Sequence, residues 1–194
     1  SIVLDAYRTQ FASRLVADVE DPRMLRFYNI QGGSFSNVIQ LELNVEILPR
    51  LDVRIAWRSQ DVRSTFDSVL KQMPLTPNHA GLINVGWQNK TERWLADVTF
   101  AYTGSQRLPS TSDNPSGYQA GERAPAYPRL NAQVTRKFGK TFELYLGGEN
   151  LTNYRQDNPV IGSHDPFGPY FDASIAWGPL MGAMGYIGLR FDIQ

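Results

Sequence analysis

Apolar and polar residues alternate with a period of two along most of the chain. Ile39, Leu41, Leu43, Val45 and Ile47 are separated by Gln40, Glu42, Asn44 and Glu46, so an extended segment here has one oily and one polar face. Leu51, Val53, Ile55 and Trp57 repeat the pattern against Asp52, Arg54 and Arg58. So do Trp94, Ala96, Val98, Phe100 and Tyr102 against Asp97 and Thr99, and Ile187, Leu189, Phe191 and Ile193 against Arg190 and Asp192. The spacing predicts eight strands, over 4–19, 34–48, 51–63, 79–88, 93–104, 129–138, 141–150 and 185–193.

Alternation does not say which way the oily face looks. A soluble sandwich turns it inward, toward a second sheet; a membrane barrel turns it outward, toward lipid. Strand length favours the barrel. Several predicted strands run about 12–16 residues, against about 5–6 in soluble sheets and about 9–11 for a tilted crossing of the hydrocarbon. The connections point the same way. Pro49-Arg50, Asn89-Lys90-Thr91-Glu92 and Gly139-Lys140 are short, whereas those near 20–33, 64–78, 105–128 and 151–184 are long, and the two kinds alternate. Outer-membrane barrels have short periplasmic turns and long outer loops. The expected fold is all-β, a transmembrane antiparallel up-and-down barrel.

Composition narrows the classes. The chain of 194 residues has 19 basic and 19 acidic residues, which argues against a general nucleic-acid binder. It has no cysteine, so disulfides and thiolate metal sites are excluded. No apolar run reaches the roughly 18 residues of a membrane-spanning helix. The opening Ser1-Ile2-Val3-Leu4, with no initiator Met or signal peptide, reads as a mature, processed or partial chain. Trp57, Trp87, Trp94, Tyr102, Phe138, Phe142 and Tyr186 fall near strand ends, the level that amphipathic rings prefer at a membrane interface.

Two motifs carry a family resemblance. The closing segment Tyr186-Ile187-Gly188-Leu189-Arg190-Phe191-Asp192-Ile193 resembles the signal by which the barrel-assembly machinery takes up a last strand, with Tyr186, Gly188, Phe191 and Ile193 at its positions. Ile193 stands where that signal has an aromatic residue. The segment Glu149-Asn150-Leu151-Thr152-Asn153-Tyr154 resembles the box that opens the last outer loop of TonB-dependent outer-membrane receptors. Asp165-Pro166-Phe167-Gly168-Pro169-Tyr170, Trp177-Gly178-Pro179 and Leu48-Pro49-Arg50-Leu51-Asp52 resemble the receptors of Bacteroidetes.

The resemblance implies a receptor for energy-coupled nutrient uptake, with a barrel of about 22 strands around an amino-terminal plug. Residues 1–194 would then be the carboxy-terminal third of the barrel wall, with plug and earlier strands lying outside this sequence. The implied partners are the outer membrane, the remaining strands and plug, the TonB energising complex through the amino-terminal part, and a surface lipoprotein. No cofactor is implied, and the nutrient class (siderophore, vitamin, glycan or peptide) is left open. A small passive porin or structural barrel is the alternative, and a soluble β-rich binding module a third. The polar face, with Arg14, Asp18, Gln40, Glu42, Glu46, Arg54, Arg58, Asp97 and Glu143, suits a wide, wet or plugged lumen better than a small dry core.

Chemistry is thin. His79 and His164 are the two histidines, and neither has a metal-ligand spacing. Ser163 and Ser174 near His164 lack a nucleophile elbow, so no catalytic residue is assigned. Asn150-Leu151-Thr152 matches a glycosylation sequon; a turn in which Asn150 bonds nearby backbone is the preferred reading. Ligand contacts belong in the outer loops, where Tyr28, Arg107, Tyr118, Arg123, Tyr127, Arg155, His164, Tyr170 and Trp177 are candidates.

Overall fold

The structure, a computed structural model, describes residues 1–18, 24–30, 32–66 and 68–192. Its strands are β1 (Ile2–Gln10), β2 (Leu15–Asp18), β3 (Arg26–Asn29), β4 (Ser34–Leu48), β5 (Leu51–Phe66), β6 (Val69–Gln72), β7 (His79–Gln88), β8 (Trp94–Thr103), β9 (Gln106–Arg107), β10 (Arg123–Ala124), β11 (Tyr127–Phe138), β12 (Phe142–Glu149) and β13 (Met184–Phe191). Eight of them form one antiparallel meander in the order β1-β4-β5-β7-β8-β11-β12-β13, with β6 paired onto β5. Among the described residues β1 and β13 do not pair, so the sheet is an open arc. The only helix described is one 3-10 turn, Ser116–Tyr118, and none is long and apolar enough to cross a membrane, which says nothing of crossing by strands.

Seven of the eight predicted strands are the long strands of this meander, within a few residues. The first is a correction. β1 stops at Gln10, and β2 begins at Leu15 as a separate hairpin with β3. Phe11 still pairs with Ser34 through its N–H, but the register then slips, so that Leu15 faces Asn29. Arg14 and Asp18 therefore leave the lumen wall. The Arg14 guanidinium packs on the Phe11 ring at 4.9 Å. Asp18 is buried and accepts a 2.7 Å bond from the Tyr28 hydroxyl.

Pairing register makes the two faces continuous. Val45, Val53, Val85, Val98, Ala132, Gly148 and Gly185 stand side by side across seven strands. The next row toward the long loops is Ile2, Leu43, Ile55, Ile83, Phe100 and Leu130. Most of this oily face is solvent-exposed in the isolated chain: Ile55, Trp57, Ile83, Trp87, Val98, Phe100, Val134 and Leu146 are all open. Such a contiguous apolar belt is foreign to the surface of a soluble monomer. It fits a surface whose solvent is lipid.

The hydrophobic clusters lie instead among the loops. Val16, Ile30 and Phe66 form one, with Tyr28 and Met73 against it; Leu108, Ala124 and Ile175 form another, with Ile161 and Trp177. The short turns carry left-handed backbone at Arg50 (φ 70°), Glu92 (φ 53°) and Gly139 (φ 71°). Asn89 closes its turn by accepting from the N–H groups of Arg93 and Trp94.

Candidate functional site

The box after β12 is a backbone junction. Asn150 and Asn153 both sit in the left-handed region, at φ 50° and 53°, which asparagine tolerates better than other residues with a Cβ. The buried Asn150 side chain donates to the carbonyls of Tyr154 (2.7 Å) and Met181 (2.9 Å), the two legs of the last loop. Its own N–H goes to Asn131 Oδ1 at 2.9 Å, and Thr152 Oγ1 donates to its Oδ1 at 3.0 Å. Leu151 N–H bonds the carbonyl of Leu130, and Asn153 Oδ1 accepts from Ala183 N–H. The amide that a glycan would need is thus buried and used twice, and the turn reading describes the geometry. Glu149 ends β12 opposite Met184, with its side chain exposed.

Residues that the sequence did not single out brace the loop further in. Buried Gln156 donates to the Ile175 carbonyl (2.8 Å) and accepts from Trp177 N–H (2.8 Å) and Gly178 N–H (3.1 Å). Buried Gln106 donates to the Trp177 carbonyl at 3.0 Å. Neither glutamine stands in a repeating pattern that announces such a role: Gln156 lies outside the strands and Gln106 opens the two-residue β9.

The candidate ligand residues fall into two aromatic groups. Tyr127 stacks on Tyr154 at 5.1 Å and meets Trp177 at 6.0 Å, roofing the polar face of the sheet. Burial of Tyr154, with the Asp157 carboxylate and Tyr127 nearby, holds its phenol above the ordinary value. Tyr118 packs against Tyr170 at 5.1 Å and His164 at 5.5 Å, and its hydroxyl is 3.1 Å from His164 Nε2. Between the groups lies a cleft of about 520 Å³, lined by Tyr118, Gln119, Arg123, Gln156, His164 and Trp177 among others. Arg107 is not part of it. Its Nε donates to the Gln72 carbonyl at 2.6 Å and its guanidinium lies 5.9 Å from the Phe66 ring, which makes it a tie between loops. Arg123 likewise bonds Ser105 and Gln72. No group of three or more potential ligands that could hold a metal ion occurs among the described residues.

The polar face is a bonded wall. Asp52, Gly86, Asp97, Gln133, Gly147 and Tyr186 form one row. Asn84 Nδ2 donates to Asp97 Oδ2 and Thr99 Oγ1, both at 2.8 Å. Arg54 pairs with Glu42 at 3.0 Å, and Arg190 with Glu143 at 3.0 Å. A recess of about 430 Å³ runs along it toward the short turns, between Asp52, Asp97, Lys137, Glu143 and Arg190.

The closing strand divides its motif between these faces. Phe191 is on the oily face opposite Phe142. Tyr186 is on the polar face, bonded to Gln133 Oε1 at 2.9 Å, so it is no part of a lipid-facing girdle. Its ring lies over Gly147, where a Cβ would fall inside it, and the Tyr145 ring lies in the same way over Gly188. Ile193 lies outside the described residues.

An apolar belt on one face, a hydrogen-bonded polar wall on the other and long loops at a single end define an arc of a transmembrane β-barrel. Residues 1–151 match the family described as TonB dependent receptor-like, beta-barrel, and the chain belongs to that family. It is accordingly an outer-membrane β-barrel protein and forms part of a receptor barrel.

The solved structures agree in fold. The ferric-catecholate import receptor Fiu of E. coli K12 in its closed form superposes with a TM-score of 0.66 at 14% identity, over 98% of this chain and 25% of the receptor. The siderophore receptor PiuA of Acinetobacter baumannii gives 0.64 at 17%, over 98% and 26%. A G324V mutant of the ferric enterobactin receptor PfeA of Pseudomonas aeruginosa gives 0.68 at 12%, over 98% and 28%. The chain thus spans about a quarter of the length of these receptors. No curated protein matches it in sequence.

Proposed function

We propose that this chain is the carboxy-terminal arc of the barrel of an outer-membrane receptor that takes up a nutrient by coupling to TonB. The observation that carries the reading is the polar wall. Its carboxylates, guanidinium groups and amides hold one another in fixed rows beside an open recess, as a surface meant to lie against a plug and bound water would. A small closed barrel would fill its interior with packed side chains instead. The chain supplies wall and outer loops. The plug, the TonB contact and the remaining strands belong to the rest of the receptor.

In this reading the cleft between the Tyr118 and Tyr127 groups borders the entrance for ligand, and Tyr186, Gly188 and Phe191 present the last strand to the assembly machinery. The short motifs that resemble those of Bacteroidetes receptors would add a surface lipoprotein over the loops as a partner. The test is uptake by cells carrying the intact receptor, with and without TonB. Uptake is expected to stop when TonB is removed. Uptake that continues unchanged would overturn the proposal in favour of a passive barrel.

A further inference from the structure

The oily face contains one charge where every neighbour is apolar. Alternation along β11 puts Arg136 on that face, with Trp94 beside it on β8, Leu144 on β12 and Leu189 beyond on β13. Its guanidinium lies 4.4 Å from the Trp94 ring and 5.4 Å from the Phe138 ring. Among the described residues it makes no ion pair and no side-chain hydrogen bond. Its neighbour Lys137, on the polar face, does have a counter-ion in Glu143 at 3.9 Å. Adjacent cations are thus treated differently: the lumen side provides a carboxylate and the lipid side only rings.

Depth says what can complete Arg136. Below it on the β11–β12 hairpin come the Phe138–Phe142 pair and the short Gly139-Lys140 turn. In outer-membrane barrels that end is periplasmic, and a charge on the lipid face is tolerated there because it reaches the headgroups. The anion at that level is a phosphodiester, whose oxygens match the planar fork of a guanidinium. A second feature adjoins it. Above Arg136 the oily face is hollowed into a groove of about 490 Å³, lined by Ala132, Val134, Leu146, Gly148, Leu151 and Gly185. Small residues occupy its middle row, so the hollow is built into the sequence. Ala132 is four residues up β11, a rise of about 13 Å, within reach of one acyl chain of a lipid whose phosphate sits on Arg136.

We propose that this face binds one phospholipid of the periplasmic leaflet, its phosphate on Arg136 between Trp94 and Phe138 and an acyl chain in the groove across β11, β12 and β13. The inference rests on the outer-membrane barrel reading. Recovery of folded protein without detergent would remove that reading, whereas the following experiment tests the site alone.

The intact receptor is purified in mild detergent, supplied with phosphatidylglycerol, and retained lipid is counted by native mass spectrometry. Folding is checked by resistance to unheated SDS. Arg136→Gln is expected to lower retention about tenfold, the loss of one charge-assisted contact. Ala132→Phe, which fills the groove and leaves the cation, is expected to lower it too, and Arg136→Lys to fall between. Arg93→Gln, which removes a cation from a turn, is expected to retain lipid as the unaltered receptor does. Equal loss in R93Q and R136Q would reduce the effect to general charge and overturn the site. So would full retention in folded R136Q or, should R136Q not fold, in R136K and A132F together. Displacement of the lipid by millimolar inorganic phosphate would also overturn it, since that would be an anion site without a lipid.

Discussion

The wall and the outer loops solve the same problem in different ways. Both must satisfy backbone polar groups away from bulk water. In the wall the strand ladder does this, and side chains are left to match the solvent on each face: Val53, Val85 and Val98 toward lipid, Asp52 and Asp97 toward the lumen. In the loops no ladder is available, and single side chains take its place. Asn150 holds the carbonyls of Tyr154 and Met181, and Gln156 holds Ile175, Trp177 and Gly178. Apart from the glycine–tyrosine crossings of the last hairpin, the wall is therefore tolerant of identity and strict about face, while the loops are strict about a few identities.

Substitutions can break that distinction. The largest effect is expected from Val98→Arg, midway between the girdle rings Trp94 and Tyr102, at about 2–4 kcal/mol. Unfolding of the intact receptor in lipid measures it, and Gly86→Arg, on the lumen face between Asp52 and Asp97 with open space before it, is expected to change little. If both cost the same, the faces are not lipid and lumen. Gly188→Val drives a side chain into the Tyr145 ring and is expected to cost about 1–3 kcal/mol, seen as lower surface abundance with ligand affinity unchanged in the protein that assembles. Asn150→Ala removes the two bonds to the Tyr154 and Met181 carbonyls, each worth about 0.5–1.5 kcal/mol, but locally. Hydrogen exchange is expected to quicken over 151–183 while the strand amides stay protected, and uniform loss of protection would erase the contrast.

The smallest effect concerns pH. The Tyr154 phenol is raised by burial, so the roof of Tyr127, Tyr154 and Trp177 keeps its full stability below the ordinary tyrosine value of about 10. That stability is lost as pH climbs through the higher folded value. Trp177 fluorescence is expected to be flat below that range and to change above it, and Tyr154→Phe to remove the change.

This difference also explains what could be read in advance. A period of two repeated over ten or more residues is hard to mistake, and 34–48 and 79–88 coincide with β4 and β7. The same signal misled at the start. Apolar Phe11, Leu15 and Val16 prolong the run past Gln10, but the register slips there, and a slip leaves no trace in hydrophobicity. The Glu149–Tyr154 box was legible because its shape depends on which residues stand there. Asn150 and Asn153 adopt left-handed backbone, and no pattern of polarity would have produced them. Gln156 and Gln106 were missed because their partners are carbonyls and N–H groups distant in sequence, which any residue type offers. An aromatic residue near a strand end reads as an interface ring, whereas the parity of its strand sends Tyr186 to Gln133.

The paired crossings of tyrosine over glycine bear on how the last hairpin finds its alignment. Tyr145 reaches across to Gly188 and Tyr186 reaches back to Gly147. If β13 slid along β12 by one residue, each ring would meet the wrong face of its neighbour. If it slid by two, the faces would be restored, but Tyr145 would stand opposite Tyr186 or Arg190, and both empty places would be lost together. The hairpin thus has a single keyed position, checked from both strands at once, and an error in threading announces itself as steric conflict before the barrel is completed.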